Sequence, residues 1–440
     1  MKRIVYHIDV NSAYLSWSAI DILKTSDLDI RQIPSVVGGE RDKRSGIVLS
    51  KSIPSKKYGI SVGEPVNMAL QKYKNLYVAK PDFESYEKHS KDFIEICKTV
   101  SPTVEQFSID ECYIDMTGME TVHGDIVEFA HKLKDRIYSE LGFTVNIGVG
   151  NNKFLAKMAS DFEKPNKVHT LFLEEIEKKM YPLPIGDLYL VGRKMKDAFL
   201  KAGVITIADL AKLELSDVQR IAGSKMGEVY YNYVRGIDDT PVVSDLPEAK
   251  SYSISRTFEN DITTRERAYA ILLLLSDEVA SRMRADDKSA RVISVVIRTS
   301  RFEDTRKQIT LLEETDSTSE IYEVSKELFD TLWDEHTPLR LLGVGLAGII
   351  STESIEGAKS NSDSKLNEIS MSISDKDSMN MIEYLESLLN NESQGEENTL
   401  DTFKSKNRKI DKAVDELRKK FGYEIINRGS ILKEMNENDD

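Results

Sequence analysis

Along residues 3–9 the side chains alternate, with Ile4, Tyr6 and Ile8 on one side and Val5, His7 and Asp9 on the other. A period of two predicts a strand, here ending on Asp9. The pattern then lengthens to helical spacing, with Ala13, Trp17, Ile20 and Leu23 as an inner face and Asn11 or Ser12 as its cap. Between residues 35 and 80, short apolar runs (Val36-Val37, Ile47-Val48-Leu49, Leu76-Tyr77-Val78) are broken by Gly, Pro and Lys. They predict a small strand-rich subdomain. Val104–Asp115 predicts a hairpin with Asp110 and Glu111 at or near its turn. Val127, Ala130, Leu133, Ile137 and Leu141 mark an amphipathic helix. Phe143–Val149 is a further strand, which Gly150-Asn151-Asn152 turns into a helix bearing Lys153 and Lys157.

The second half of the chain begins with short helices ending on Gly192, Gly203, Gly223, Gly227 and Gly236. They predict two compact helical hairpins over residues 174–237, followed by a linker at 238–250. Residues 252–350 carry the clearest pattern. A strand over Tyr252–Phe258, a helix over Ala268–Met283, strands over Arg291–Ser300 and Arg306–Leu311, a helix marked by Ile321, Val324, Leu328 and Leu332, and a strand over Leu341–Ile350 follow in order. This β-α-β-β-α-β order is the split βαβ arrangement. Two helices cover only one sheet face, so Ser253, Ser255, Thr257 and Arg298 face solvent or a polar ligand.

A chain of 440 residues with 40% hydrophobic side chains is long enough for several domains of roughly 100–200 residues. No stretch reaches the ~18 apolar residues of a membrane-spanning helix, and the opening residues read as a strand rather than a signal peptide. Cys97 and Cys112 make neither a disulfide framework nor a zinc site, which points to a reducing cytoplasm. The net charge of −14 is unevenly spread: residues 352–401 hold 12 acidic and 3 basic side chains. That Ser-, Asn- and Glu-rich stretch reads as disordered, apart from a short helix at 379–389. A charged helix follows at 404–420. With a mildly acidic body, contact with nucleic acid must come from local basic patches and backbone amides.

The chemistry concentrates in two segments, His7-Ile8-Asp9-Val10-Asn11-Ser12-Ala13-Tyr14 and Ser108-Ile109-Asp110-Glu111-Cys112. Each places carboxylates at the end or turn of a strand-like run. Folded together, Asp9, Asp110 and Glu111 could hold a pair of divalent cations, an arrangement suited to phosphoryl transfer. His7 and Cys112, beside the acids, read as packing residues.

Those two segments, with Gly148-Val149-Gly150-Asn151-Asn152-Lys153-Phe154-Leu155-Ala156-Lys157 and Lys164-Pro165-Asn166, resemble in order and separation the signatures of the Y-family (DinB/UmuC-like) translesion DNA polymerases. The resemblance covers roughly residues 3–350. It implies an α+β right-hand polymerase: palm at 1–33 and 81–170, small fingers at 34–80, helix-hairpin-helix thumb at 171–240, β-α-β-β-α-β little finger at 250–351, and an acidic tail at 352–440. It also implies a template-directed enzyme of low-fidelity lesion-bypass type that takes dNTPs and primer-template DNA as a monomer. Two Mg²⁺ ions would sit on Asp9, Asp110, Glu111 and the Val10 carbonyl.

Tyr14 resembles the family's steric gate, a ring that leaves no room for a 2′-hydroxyl. Lys164, Ser50 and Lys56 match its triphosphate contacts, and the amides around Asn11, Ser12 and Ala13 can accept phosphate oxygens. The fingers depart from the usual pattern: Ile53 and Lys56 stand where many members have Tyr and Arg. Lys keeps the charge but loses the bidentate fork, so a weaker triphosphate grip is expected. Gly192, Lys194, Gly223 and Lys225 of the hairpins would hold DNA phosphates, although Leu190 stands where a Gly is usual. Arg298 and Arg301 are expected to touch the DNA backbone. Leu400 and Phe403 form the nearest match to a sliding-clamp motif, without its Gln. Two alternatives share these features: an inactive DNA-binding accessory subunit, and another palm-type enzyme such as a nucleotide cyclase.

Overall fold

The computed structural model describes residues 3–39, 46–244, 248–351 and 399–422, with the side chains of 399–407 left aside. The chain divides into two compact units, residues 1–247 and 248–440. The class is α+β.

The first unit is built on a five-stranded sheet: β1 (Val5–Val10), β5 (Val104–Gln106), β6 (Glu111–Asp115), β7 (Val145–Gly150) and β8 (Val168–Leu171), in the order β5-β6-β1-β7-β8. Central β1 runs antiparallel to both β6 and β7. Its alternation divides the work. Tyr6, Ile8 and Val10 enter the main core with α1 (Ala13–Leu23), α4 (Phe83–Lys98) and α6 (Ile126–Leu141). Trp17, Tyr86, Phe93 and Phe143 are fully buried there, each worth roughly 1.5–3 kcal/mol of transfer free energy. Val5, His7 and Asp9 face the other side, where α7 (Lys153–Ser160) lies. Leu23, placed on the inner face by spacing, is 39% exposed. It ends α1, and Leu15, Ser16 and Ala19 fill the inner face instead.

Residues 35–79 form a separate three-stranded sheet, β3 (Val48–Lys51), β2 (Ser35–Gly38) and β4 (Tyr77–Ala79). It carries α2 (Ile53–Lys56) and α3 (Val66–Lys72) over a small core of Val36, Val48, Val66 and Leu76. A short helix α5 (Glu120–His123) precedes α6. Beyond β8 come α8 (Ile176–Lys179), α9 (Arg193–Lys201), α10 (Ile207–Ala211), α11 (Leu215–Ala222) and α12 (Ser224–Tyr233). Their core includes Phe199, Leu210, Val218 and Tyr230. The turn between α11 and α12 passes through Gly223 at φ 81°, a left-handed conformation that a side chain would strain.

The second unit contains β9 (Ser251–Ile262), α13 (Arg265–Ala285), β10 (Lys288–Thr299), β11 (Asp304–Thr315), α14 (Thr318–Leu332) and β12 (Leu339–Ser351), with sheet order β11-β10-β12-β9. Both helices pack on one face through Leu272, Leu275, Val279, Ile321 and Phe329. Ser253, Ser255 and Thr257 lie exposed, as two helices against four strands require. A further helix, α15 (Thr399–Phe421), joins this unit. Asp411 accepts a hydrogen bond from the Thr318 amide, at the start of α14, at 2.9 Å. Arg284 reaches Asp415 at 2.6 Å, and Arg418 reaches Asp277 at 2.7 Å. The expected helix is therefore not a free tail element: its inward residues complete charge pairs that α13 leaves buried. The expected helix at 379–389 lies outside the described residues.

Candidate active site

Antiparallel register sets Asp9 of β1 directly opposite Glu111 of β6, and opposite Asn146 of β7 on the other flank. Their side chains emerge on the face that α7 covers. Two glycines allow α7 to lie there. A Cβ on Gly148 would stand 1.9 Å from the Ala156 carbonyl oxygen, and one on Gly150 would stand 2.6 Å from the Ala156 amide nitrogen. This close approach brings Lys157 to the acids. Its ammonium lies 2.7 Å from Glu111 Oε1 and 3.8 Å from Asp9 Oδ2. From the segment after α7, Lys164 Nζ lies 3.1 Å from Asp9 Oδ1 and 2.9 Å from Asp161. Two acids and two lysines thus interleave in a site where Asp9 and Glu111 are only 13% and 17% exposed.

The electrostatics follow from that crowding. Burial pushes the Asp9 carboxyl up to about 7, with Lys164 pulling it down and Glu111 adding to the rise. Burial also opposes ionisation of Glu111, but Lys157 at 2.7 Å and the facing Asp9 hold it well below the usual carboxylate range. Near neutrality Glu111 is therefore the charged member of the pair while Asp9 is in mid-titration. Burial would lower both lysines, yet the surrounding acids raise them, so both remain cationic. Fully buried His7 is pushed down to about 4, chiefly by desolvation, and is neutral. Ser160 gives its hydroxyl proton to the Lys157 carbonyl at 2.8 Å, so His7 Nδ1 is the donor toward Ser160 Oγ at 2.7 Å. His7 Nε2 then faces Glu111 at 3.7 Å, too far for a hydrogen bond.

The expected three-carboxylate cluster is only partly assembled. Asp110 is tied by its backbone, where its carbonyl accepts from the Val10 amide at 3.0 Å. Its carboxylate accepts from Ser108 Oγ at 2.7 Å. Among the described residues no three acidic, thiol or imidazole side chains converge as a metal-holding group. The donor chemistry nonetheless suits a hard divalent cation, since the side chains that meet here, Asp9 and Glu111, offer carboxylate oxygens. Asp9 and Glu111 face each other nearly buried, and each already draws an ammonium onto its oxygens, the response of a site built to hold positive charge.

Tyr14 is half-buried, with its ring 4.9 Å from Tyr86 and edge-on to Phe83 and Trp17. It is braced on a rigid aromatic cluster. Ser12 occupies the N-cap of α1 at φ 49° without bonding an amide through its side chain, so only its position matches the expected cap. The first amides of a helix lack intrahelical partners, and those of Ser12, Ala13 and Tyr14 stand at the start of α1. The Asn11 amide is spent on the Thr144 carbonyl at 2.9 Å, which removes it from that set. Ser50 is buried, whereas Lys56 is exposed at the end of α2 and Ile53 is 54% exposed beside it.

Gly192 is the N-cap of α9 with open space around it, and Lys194, Gly223 and Lys225 are exposed. Leu190 adopts φ 69°, the left-handed conformation that explains why a Gly is usual there. Its carbonyl accepts from Tyr230 Oη at 2.9 Å. In the second unit Arg301 is exposed. Arg298 is not a free cation: it forks onto Asp304 of the adjoining strand at 2.5 and 2.8 Å. Leu400 and Phe403 fall in the first turns of α15, where side chains lie outside the described residues.

Sequence reasoning assigned no role to Lys157 or Asn146. A lysine in an apolar helix, within a glycine-flanked motif, was the available signal for the first. Asn146 had none, because a polar residue within a strand marks no chemistry until its partners are known.

A profile of the impB/mucB/samB family matches residues 8–161, and one of that family's C-terminal domain matches residues 249–360. Residues 186–238 match the thumb domain of DNA polymerase-iota. DNA polymerase IV of Clostridium acetobutylicum is 37% identical over 438 residues, covering 98% of this chain and 99% of that one. DNA polymerase IV 2 of Bacillus subtilis is 32% identical over 360 residues, covering 80% and 86%. A solved Y-family DNA polymerase chimera superposes with TM-score 0.70 at 20% identity, covering 79% of this chain and 99% of that one. At that identity the likeness speaks for the fold.

Proposed function

The chain belongs to the impB/mucB/samB family, and from that premise we propose how its site extends a DNA primer. The protein is a template-directed DNA polymerase of Y-family, lesion-bypass type. Its substrates are dNTPs and primer-template DNA. In the reaction the primer 3′-oxygen bonds to the α-phosphorus in line with the departing pyrophosphate. The observation that carries the site assignment is the Asp9–Glu111 pair, set face to face across β1 and β6 and flanked by Lys157 and Lys164.

Asp9, Glu111 and Asp110, with the Val10 carbonyl, would hold two Mg²⁺ ions. Bound there, these ions supply activation of the 3′-hydroxyl and neutralisation of the triphosphate. The remaining work falls to the chain. Lys164 would turn from Asp9 to the triphosphate, and the α1 amides would receive its oxygens. Tyr14, held by Tyr86, would close the space under C2′. Lys56 and Ser50 would complete the phosphate contacts, and a lysine in place of arginine would make that grip weaker. Palm, fingers, thumb and little finger would take the boundaries expected from sequence, and α15 would join the last. Gly192, Lys194, Gly223, Lys225 and Arg301 would carry DNA phosphates, and Leu400 and Phe403 would dock the sliding clamp.

Primer extension with Asp110→Ala and Glu111→Ala tests this reading. Both variants should lose extension while still binding primer-template. Extension at the parent rate by Asp110→Ala would overturn the site assignment.

A further inference from the structure

We propose that Asn146, together with Asn11, is a positioning residue for the incoming triphosphate and acts through Lys164. The inference rests on the polymerase reading above and adds residues to it.

Asn146 is completely buried on β7, opposite Asp9. A carboxamide offers two N–H donors and two acceptor lone pairs, and here all four are used. Its Nδ2 donates to the carbonyls of Ser160 at 3.0 Å and Glu163 at 2.7 Å. Its Oδ1 accepts from Asn11 Nδ2 and from the Lys167 amide, both at 3.2 Å. Asn11 continues the relay, its Oδ1 accepting from the Asn166 amide at 2.8 Å.

These two side chains therefore grip the segment after α7 at four backbone points: the carbonyls of 160 and 163 and the amides of 166 and 167. Lys164 lies between those points. Its ammonium reaches Asp9 because the segment cannot slide along β7. Asn11 also directly precedes Ser12, Ala13 and Tyr14, and its carbonyl accepts from Ser16 Oγ at 2.7 Å. One amide pair thus locks the phosphate lysine, the phosphate-receiving amides and the gate into a common frame. No charged or hydroxyl side chain reproduces this pattern. A carboxylate would set oxygen against two carbonyls, and a hydroxyl has one proton for two acceptors. The cost of losing the grip falls on nucleotide binding, because a displaced positioning group costs rate and affinity far beyond its own contacts.

The test measures dNTP Kd on a dideoxy-terminated primer-template, with KM and kcat on an extendable one. Parent, Asn146→Ala, Lys164→Ala and the double variant are compared. Asn146→Ala should raise Kd and KM about tenfold and change kcat less than about threefold. In the Lys164→Ala background the same change should add less than about twofold, because the residue it positions is gone. An Asn146→Ala penalty that multiplies undiminished onto Lys164→Ala would refute the inference, as would a fall in kcat at unchanged Kd. Asn11→Ala, which leaves the buried Asn146 in place, should shift Kd in the same direction and keeps the question answerable if Asn146→Ala does not fold. An unchanged Kd in Asn11→Ala would then overturn it. A parent chain that extends no primer would instead refute the polymerase reading itself.

Discussion

Replacing Arg418 with methionine should unfold the second unit selectively. Arg418 and Asp277 form an ion pair at 2.7 Å with side chains 4% and 2% exposed. Removing the arginine takes away the cation that the buried Asp277 carboxylate meets at 2.7 Å, beside the longer 3.4 Å hydrogen bond from Thr318 Oγ1. Breaking one half of a buried pair costs about 3–5 kcal/mol. For a domain of this size each kcal/mol lowers Tm by about 4 °C, so the unit's calorimetric transition should fall by roughly 12–20 °C. Lys412→Met on the exposed face of α15 should shift it by less than about 2 °C. The double variant Arg418→Met, Asp277→Leu should recover most of the loss, since two apolar residues need no partner. An Arg418→Met protein melting within 2 °C of the parent would refute the buried docking of α15.

Three further outcomes follow from the site. Tyr14→Ala should reduce discrimination against ribonucleotides by about 100-fold, read from paired dNTP and rNTP kinetics; unchanged discrimination would remove Tyr14 as the gate. Gly148→Ala sets a methyl 1.9 Å from the Ala156 carbonyl, a backbone clash beyond ordinary overpacking of about 1–3 kcal/mol. It should lower Tm and cut extension more than about 100-fold by pulling Lys157 from Glu111, and a fully active variant would contradict this. Because burial raises Asp9 to about 7, divalent binding must expel its proton, so Mn²⁺ affinity should fall about tenfold per pH unit below 7. Proton release into buffers of differing ionisation heat measures it, and a flat affinity from pH 5.5 to 7.5 would count against it. Melting is the poorer readout there. Raised Asp9 removes stability as pH climbs from about 4 to 7, while His7, pushed down to about 4, removes stability as pH falls from about 6.5. The two offset each other.

Much of this protein was written in local pattern. Period-two alternation marked β1 and the strands of the second unit, helical spacing marked α6, α13 and α14, and short-range motifs marked Asp9, Asp110, Glu111, Tyr14 and Lys164. These are near-neighbour signals, because strand and helix periodicity depend only on which face of one element is apolar. What the tertiary structure decided lies between elements. It set Asp9 opposite Glu111 but turned Asp110 toward Ser108. It carried Lys157 onto the acids across two glycines, tied Arg298 to Asp304 and seated α15 on buried charge. It also gave Asn146 its four partners. A hydrogen bond or ion pair needs two groups within about 3 Å, and residues separated along the chain meet that condition only after register and packing are settled. The sequence by itself therefore pointed to the family and to the carboxylates proposed for its chemistry. Only the folded chain decided which of them meet and which neighbours hold them.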